Sequence, residues 1–162
     1  MSYDVKIERQ TLNALFDLKG DPEVVQNWAE FSLPNRPNTR AMQEAFEVYH
    51  IGRNHWIVRA SLELEEALEA QLKPTDCPAD ISIVRISDTL TFFGVAGPQA
   101  AEVMAIACPL DLHVTAFDED AVTYSELFGL KALVMRCEAG FEFAVEQSFG
   151  DMVQDYLTRA TA

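Results

Sequence analysis

Long hydrophobic runs, closely spaced cysteines and an excess of positive charge are all missing from this 162-residue chain. The longest apolar stretches, such as Phe92 to Val95 and Val103 to Ala107, fall far short of the ~20 residues that a membrane-spanning helix needs. Three cysteines, Cys77, Cys108 and Cys137, form no CxxC pair. An odd count without such a pair argues against a disulfide framework. Zinc is equally unsupported, because neither the cysteines nor His50, His55 and His113 fall at ligand spacing. Only 12 Lys and Arg face 26 Asp and Glu, for a formal net charge of −14. Nucleic acid and anionic membranes are poor partners for such a surface. The N-terminus, MSYDVKIERQ, carries Asp4 and Glu8 and no apolar run after its basic residues. No secretory signal is visible there, and a cytoplasmic address is expected.

What remains is ordinary globular composition, 49% hydrophobic and 23% charged, enough for one core or two small modules sharing one. We read residues 1–162 as one domain made of two pseudo-repeats, about 1–80 and 81–162. Asp21-Pro22-Glu23 combines a capping side chain, a first-turn proline and an acid at the positive end of a helix. Val24, Val25, Trp28 and Phe31 follow at helical spacing, so a helix is predicted to stop before Leu33-Pro34. Residues 32–44 read as a polar loop. Phe46 to Ile51 and Trp56 to Ala60 predict two strands around the turn Gly52-Arg53-Asn54-His55. From Ser61 an amphipathic helix carries Leu64, Ala67, Leu68 and Leu72 on one side, and it ends at Lys73-Pro74.

In the second half, Ile81 to Ile86 predicts a strand apolar on both faces and therefore buried, with Thr89 to Val95 as its hairpin partner. Gly97-Pro98 is expected to open a helix that is apolar most of the way round and buried on more than one side, ending at Pro109. An acidic loop leads to strands at Ala121 to Leu127, Lys131 to Cys137 and Phe141 to Val145. The last helix places Phe149, Met152, Val153, Tyr156, Leu157 and Ala160 on one stripe, with Ser148 as cap and Asp151 completing a capping box.

The two halves rhyme. Residues 52–72 align without a gap to residues 137–157, matching Trp56 with Phe141, Val58 with Phe143, Ala60 with Val145, Leu64 with Phe149 and Leu72 with Leu157. Upstream, Phe16 to Pro22 echoes Phe92 to Pro98. The expected fold is therefore α+β, a duplicated β-α-β-β-α unit of ferredoxin-like order with mainly antiparallel sheet.

Candidate chemistry is sparse. Gly94-Val95-Ala96-Gly97-Pro98 is a glycine-containing strand-to-helix turn of the kind that can cradle phosphate, but it is neither GxGxxG nor a Walker loop. A tight turn with a first-turn proline accounts for it. Cys108 and His113 suggest a thiolate–imidazole pair, yet no third, orienting residue is assignable, and a helix-end cysteine is usually a small hydrophobe. Asp111 is better placed to close the helix–loop junction through its own backbone. His50 and His55 flank a hairpin turn without an evident partner, and neither GxSxG nor HExxH occurs. No catalytic, cofactor-binding or metal-binding residue is assigned.

Cys108-Pro109-Leu110-Asp111-Leu112-His113, followed by Ala116-Phe117, resembles the CPLDL segment of the gamma subunit of heterotetrameric sarcosine oxidase. Gly97-Pro98 and the helix begun at Ser148-Phe149 resemble its strand–GP–helix element and its C-terminal Ser-Phe helix. Leu33-Pro34 with Asn38, and Ile51-Gly52 to Val58, are similar to its Leu-Pro…Asn segment and its Gly-Pro-Asp-Glu-Trp segment. The chain departs from the family at Arg53-Asn54-His55, where Pro-Asp-Glu is common, and at Tyr124 and Glu126, where basic residues are usual. The resemblance implies a fold like the folate-binding domain of glycine-cleavage aminomethyltransferase. It also implies an accessory role without catalysis, with flavins, NAD, tetrahydrofolate and zinc on larger partner subunits. A free-standing folate-binding or one-carbon-transfer domain is the alternative, and a ligand-sensing module would need a pocket that sequence cannot display.

Overall fold

The computed structural model describes residues 2–162. In chain order the elements are β1 (Lys6–Arg9), β2 (Asn13–Lys19), α1 (Pro22–Ala29), β3 (Thr39–Met42), β4 (Phe46–Gly52), β5 (His55–Ser61), α2 (Glu65–Leu72) and β6 (Ser82–Arg85). They continue with β7 (Leu90–Ala96), α3 (Ala100–Ala107), β8 (Val122–Leu127), β9 (Leu130–Cys137), β10 (Gly140–Glu146) and α4 (Gly150–Thr161). The chain forms two compact units, Leu12–Asp88, and Thr89–Ala162 together with the segment up to Thr11. Each holds a five-stranded sheet, ordered β3-β4-β5-β2-β6 in the first unit and β8-β9-β10-β7-β1 in the second. Every ladder is antiparallel.

The duplication extends to hydrogen-bond register. The displacement that carries His55 to Gly140 also carries β5 onto β10, the 3-10 turn Leu62–Leu64 onto Gln147–Phe149, and the start of α2 onto that of α4. Phe16 opposite Val58 corresponds to Phe93 opposite Phe143, one residue on from the match of Phe16 with Phe92 that the sequence suggests. One strand stands out of sequence. β6 follows α2 along the chain, whereas its counterpart β1 opens the chain and pairs with β7. In the first unit the core gathers Phe16, Val25, Trp56, Val58 and Leu72; in the second it gathers Phe93, Met104, Phe141, Phe143 and Leu157.

Several details differ from the sequence-based expectations. β6 and β7 are not a hairpin: β6 pairs with β2, and β7 lies between β1 and β10. β7 lies inside its sheet and buries both Phe92 and Phe93, while β6 is an edge strand that leaves Val84 48% exposed. The polar loop contains strand β3, and polar KIER forms β1. Both are four-residue edge strands paired on one side only, too short for side-chain alternation to mark them in sequence. α1 ends at Ala29, before Phe31, because Glu30 takes the left-handed conformation at φ 62°. Its start is as expected: Asp21 Oδ1 accepts from the amides of Glu23 (3.0 Å) and Val24 (3.4 Å). α3 begins at Ala100 after a turn containing Pro98, and it buries Ala100, Val103, Met104 and Ala107 while Ala101 and Ile106 face outward. It is buried on one side, not on several. Ser148 lies inside the 3-10 turn and makes no capping bond, and Asp151 instead accepts from Arg9 Nη1 at 2.6 Å. On α4, Val153 and Leu157 are buried, whereas Tyr156, and Phe149 in the turn before the helix, stay partly in solvent at 39% and 37% exposed.

The paired glycines have a common cause. Gly20 and Gly97 follow β2 and β7 with φ of 138° and 128°. A Cβ on Gly20 would stand 2.6 Å from Ile81 Cγ2, and one on Gly97 would stand 2.7 Å from the Asp4 carbonyl oxygen. In both units the residues leading into the edge strand press on this turn, and only glycine combines the conformation with the clearance. The edge strands also share an arginine that sequence comparison did not reveal. Arg9, opposite Phe93, reaches Thr91 Oγ1 (3.1 Å) and Asp151. Arg85, opposite Phe16, reaches Glu69 (2.5 Å) and Glu65 (3.7 Å). Each ties an edge strand to the second helix of its own unit.

Candidate functional site

The segment from Cys108 to Phe117 is built around backbone contacts. Cys108 ends α3 in an extended conformation, donates its amide to the Met104 carbonyl at 2.8 Å, and lies 5% exposed in the core of its unit. Pro109 and Asp111 are exposed, Leu110 packs against the core edge and Leu112 is buried. Asp111 Oδ1 accepts from the His113 amide at 3.0 Å, and the His113 carbonyl accepts from the amides of Ala116 and Phe117. From β9, Arg136 Nε donates to the Phe117 carbonyl at 2.6 Å and Nη2 donates to that of Leu112. The His113 ring turns to Thr115 Oγ1 at 2.8 Å, so the structure does not bring it to Cys108. We expect thiol titration with a disulfide reagent to modify the half-buried Cys77 and Cys137 first, and Cys108 only at the rate of unfolding. Immediate reaction of all three thiols would contradict this packing.

The Gly97 turn is likewise committed to protein contacts. Its amide bonds the Ala139 carbonyl at 3.0 Å, the Ala100 amide bonds the Gly97 carbonyl at 3.1 Å, and the Gln99 amide bonds the Asp4 carbonyl at 3.5 Å. These contacts use the groups that a phosphate cradle would need. Ser148 and Phe149 lie exposed on the 3-10 turn before α4. Among the described residues, no group of three His, Cys, Asp or Glu side chains is arranged to hold a metal ion.

Two constellations in the Leu12–Asp88 unit were not read from sequence. The first is a buried polar chain on its sheet. Arg59 Nη1 donates to Tyr49 Oη at 3.2 Å, Arg59 Nε donates to Asn13 Oδ1 at 3.2 Å, and Tyr49 O–H donates to Glu47. Burial pushes the Tyr49 phenol far above the ordinary tyrosine range, with Arg59 opposing that shift. In the unfolded chain Tyr49 would lose its proton near pH ~10, while in the folded protein it keeps it. The stabilisation is thus complete below that pH and falls as pH rises further. Spectrophotometric titration of the folded protein should leave Tyr49 un-ionised until alkaline unfolding. Ionisation of all four tyrosines with native circular dichroism would contradict it.

The second constellation is a cavity of about 390 Å³ at the tip of the β4–β5 hairpin. The loop after α1 folds back here: Trp56 Nε1 donates to the Pro34 carbonyl at 3.2 Å, the Leu33 amide bonds Gln26 Oε1 at 3.0 Å, and the Asn38 amide bonds the His50 carbonyl at 2.9 Å. Its wall is Pro22, Leu33, Pro34, Pro37, Trp56 and His50, and Gln26, Asn35, Arg53 and Asn54 supply the polar groups. The His50 ring is stacked on Trp56 with centroids 5.1 Å apart, is 7% exposed, and buries Nδ1 without a hydrogen-bond partner. Its neighbour across the turn, His55, does have a partner: Nε2 meets Asp17 Oδ1. Leu33-Pro34 and the Gly52 to Trp56 hairpin, which carried part of the family resemblance, thus meet around one cavity. Sequence showed the segments but not their convergence.

No protein-family model and no curated protein sequence matches the chain. Solved structures do. A chain of heterotetrameric sarcosine oxidase from Corynebacterium sp. U-96, in complex with pyrrole 2-carboxylate, superposes with a TM-score of 0.82 at 19% identity, over 97% of this chain and 83% of that one. The glycine cleavage system aminomethyltransferase T from Bartonella henselae gives a TM-score of 0.71 at 14% identity over 96% of this chain, which spans 46% of the enzyme's chain. No described helix is long and apolar enough to cross a membrane. The protein is therefore an α+β chain of two antiparallel sheets with the fold shared by that sarcosine oxidase chain and by part of the aminomethyltransferase.

Proposed function

We propose that this chain is a non-catalytic, gamma-type accessory subunit of a heterotetrameric, sarcosine oxidase-like complex in the cytoplasm. The observation that carries the reading is the superposition on a chain of such an oxidase over 97% of this chain and 83% of that one. The CPLDL segment supports it, since Cys108 to Leu112 serve packing and loop geometry and the paired Cys108–His113 chemistry is not assembled. Flavins, NAD, tetrahydrofolate and zinc belong on the larger partner subunits in this reading. The complex would oxidatively demethylate sarcosine or a related secondary amine, with tetrahydrofolate accepting the one-carbon unit.

The tagged chain, purified from its native host at low ionic strength, is expected to bring down two larger flavin- and nucleotide-binding polypeptides. With a net charge of −14, part of that association should weaken as salt is raised. A solitary monomer across all salt conditions would overturn the proposal. The alternative, a free-standing folate domain, predicts a calorimetric signal when tetrahydrofolate is added to the isolated chain. Accessory function predicts none at millimolar ligand.

A further inference from the structure

We infer that the cavity beside Trp56 is a binding site for a small organic carboxylate with an apolar or aromatic body. The duplication supplies the first argument. In the second unit, the position opposite the buried aromatic Phe141 is Arg136; in the first unit, the position opposite Trp56 is His50. Both lie over their aromatic partners, Arg136 at 4.8 Å from the Phe141 ring and His50 at 5.1 Å from the Trp56 ring. Arg136 spends its donors on the Leu112 and Phe117 carbonyl oxygens of the loop after α3. The equivalent loop after α1 sends no such oxygen to His50, whose Nδ1 has no hydrogen-bond partner although the residue is 7% exposed. A buried imidazole nitrogen without a partner costs free energy. With its proton on Nδ1 the ring would be a donor, and the internal copy indicates what a donor at this position meets in this fold: an oxygen acceptor.

The hairpin itself is altered at this place. β4 carries an irregularity between His50 and Gly52, whereas Gly140 opposite Cys137 continues the β9–β10 ladder in unbroken register. Bulges re-aim side chains and are over-represented next to functional sites.

Charge and shape give the rest. The chain has 26 acidic side chains, but none lines the cavity. Arg53, on the hairpin turn at the lining, has no ion-pair partner among the described residues. A guanidinium is the side chain best matched to a carboxylate. Three of the wall residues, Pro22, Pro34 and Pro37, have fixed φ and little side-chain freedom to lose, so the apolar wall is largely formed in advance. An apolar body would rest on these prolines, Leu33 and the Trp56 edge, with its carboxylate against Arg53 and, once the ring turns so that the buried Nδ1 meets the cavity, the His50 N–H.

The test uses the full, isotope-labelled chain titrated with 2-naphthoate and, separately, with its neutral counterpart 2-naphthamide, following the Trp56 and Trp28 indole N–H resonances and calorimetric heat. We expect naphthoate to shift the Trp56 signal saturably and the Trp28 signal little. Naphthamide should bind roughly tenfold more weakly, the worth of one charge-assisted contact. Arg53→Gln, at an exposed turn position, should remove most of that difference without changing the melting temperature. His50→Phe keeps the stacked ring and should weaken naphthoate severalfold; if it fails to fold, the Arg53 variant still decides. Three results would each overturn the inference: no saturable shift at millimolar naphthoate, equal binding of acid and amide, or unchanged binding by Arg53→Gln. Because the net charge of −14 opposes anions generally, preference for the acid would report the site and not the bulk field.

Discussion

Gly140→Ala should destabilise the protein by about 2–6 kcal/mol, one of the largest effects of any single methyl group in this chain. Gly140 opens β10 with φ of 152°, and a Cβ there would lie 2.2 Å from the Val95 carbonyl oxygen, 3.0 Å from Ala100 Cβ and 3.2 Å from Ala96 Cα. None of these atoms can rotate away. The strand would have to leave β7, its partner through Gly140 opposite Ala96. Backbone strain for a non-glycine residue in that region costs roughly 1–3 kcal/mol, and overpacking costs roughly another 1–3. For a domain of this size, each kcal/mol shifts the melting midpoint by about 2–4 °C. Gly129→Ala is the control: its φ is 78°, but a Cβ would meet nothing within 4 Å. It should therefore cost only the conformational part. Equal melting points for the two variants would show that the backbone approach at Gly140 is not limiting.

Trp56→Ala should cost about 3–5 kcal/mol, the usual range for removing a buried aromatic side chain. Trp56 is 2% exposed, packs in the core of its unit, stacks on His50 and donates its indole N–H to Pro34. Trp56→Phe reproduces the ring found at Phe141 in the other unit. It should be milder, costing roughly 1–2 kcal/mol for the lost hydrogen bond and the smaller ring. Urea unfolding followed by far-ultraviolet circular dichroism measures both. A Trp56→Phe variant as unstable as Trp56→Ala would mean that the Pro34 contact, not burial, holds the loop after α1.

The correspondence between the halves was readable because core positions repeat with their chemistry. Trp56 and Phe141, Val58 and Phe143, Leu72 and Leu157 are large, apolar and evenly spaced, and all six are buried. Strand pairing was less readable. Thr39–Met42 carries no alternating pattern, and Lys6–Arg9 alternates in burial but holds a single apolar residue, Ile7, too short a signal to mark a strand. The outward face of α3 misled for the opposite reason. Ala101 and Ile106 are apolar by composition, yet the helix meets its sheet along one stripe. Motif residues were visible as residues, but not their use. Leu112 matters partly through a carbonyl that Arg136 grips, and the backbone oxygen of a residue has no signature in its letter.

Sequence by itself thus determined the duplicated α+β architecture and the ferredoxin-like order of each unit, because hydrophobic spacing and helix punctuation are local properties repeated in both halves. Tertiary structure decided which edge strand completes each sheet, with β1 from the chain start standing where β6 stands in the other unit. It also decided that His50 and Arg136, unlike in chemistry, occupy equivalent positions over the equivalent rings of Trp56 and Phe141. Donors and acceptors are matched through space, so only the folded chain shows that Arg136 has its oxygens while His50 Nδ1 has none.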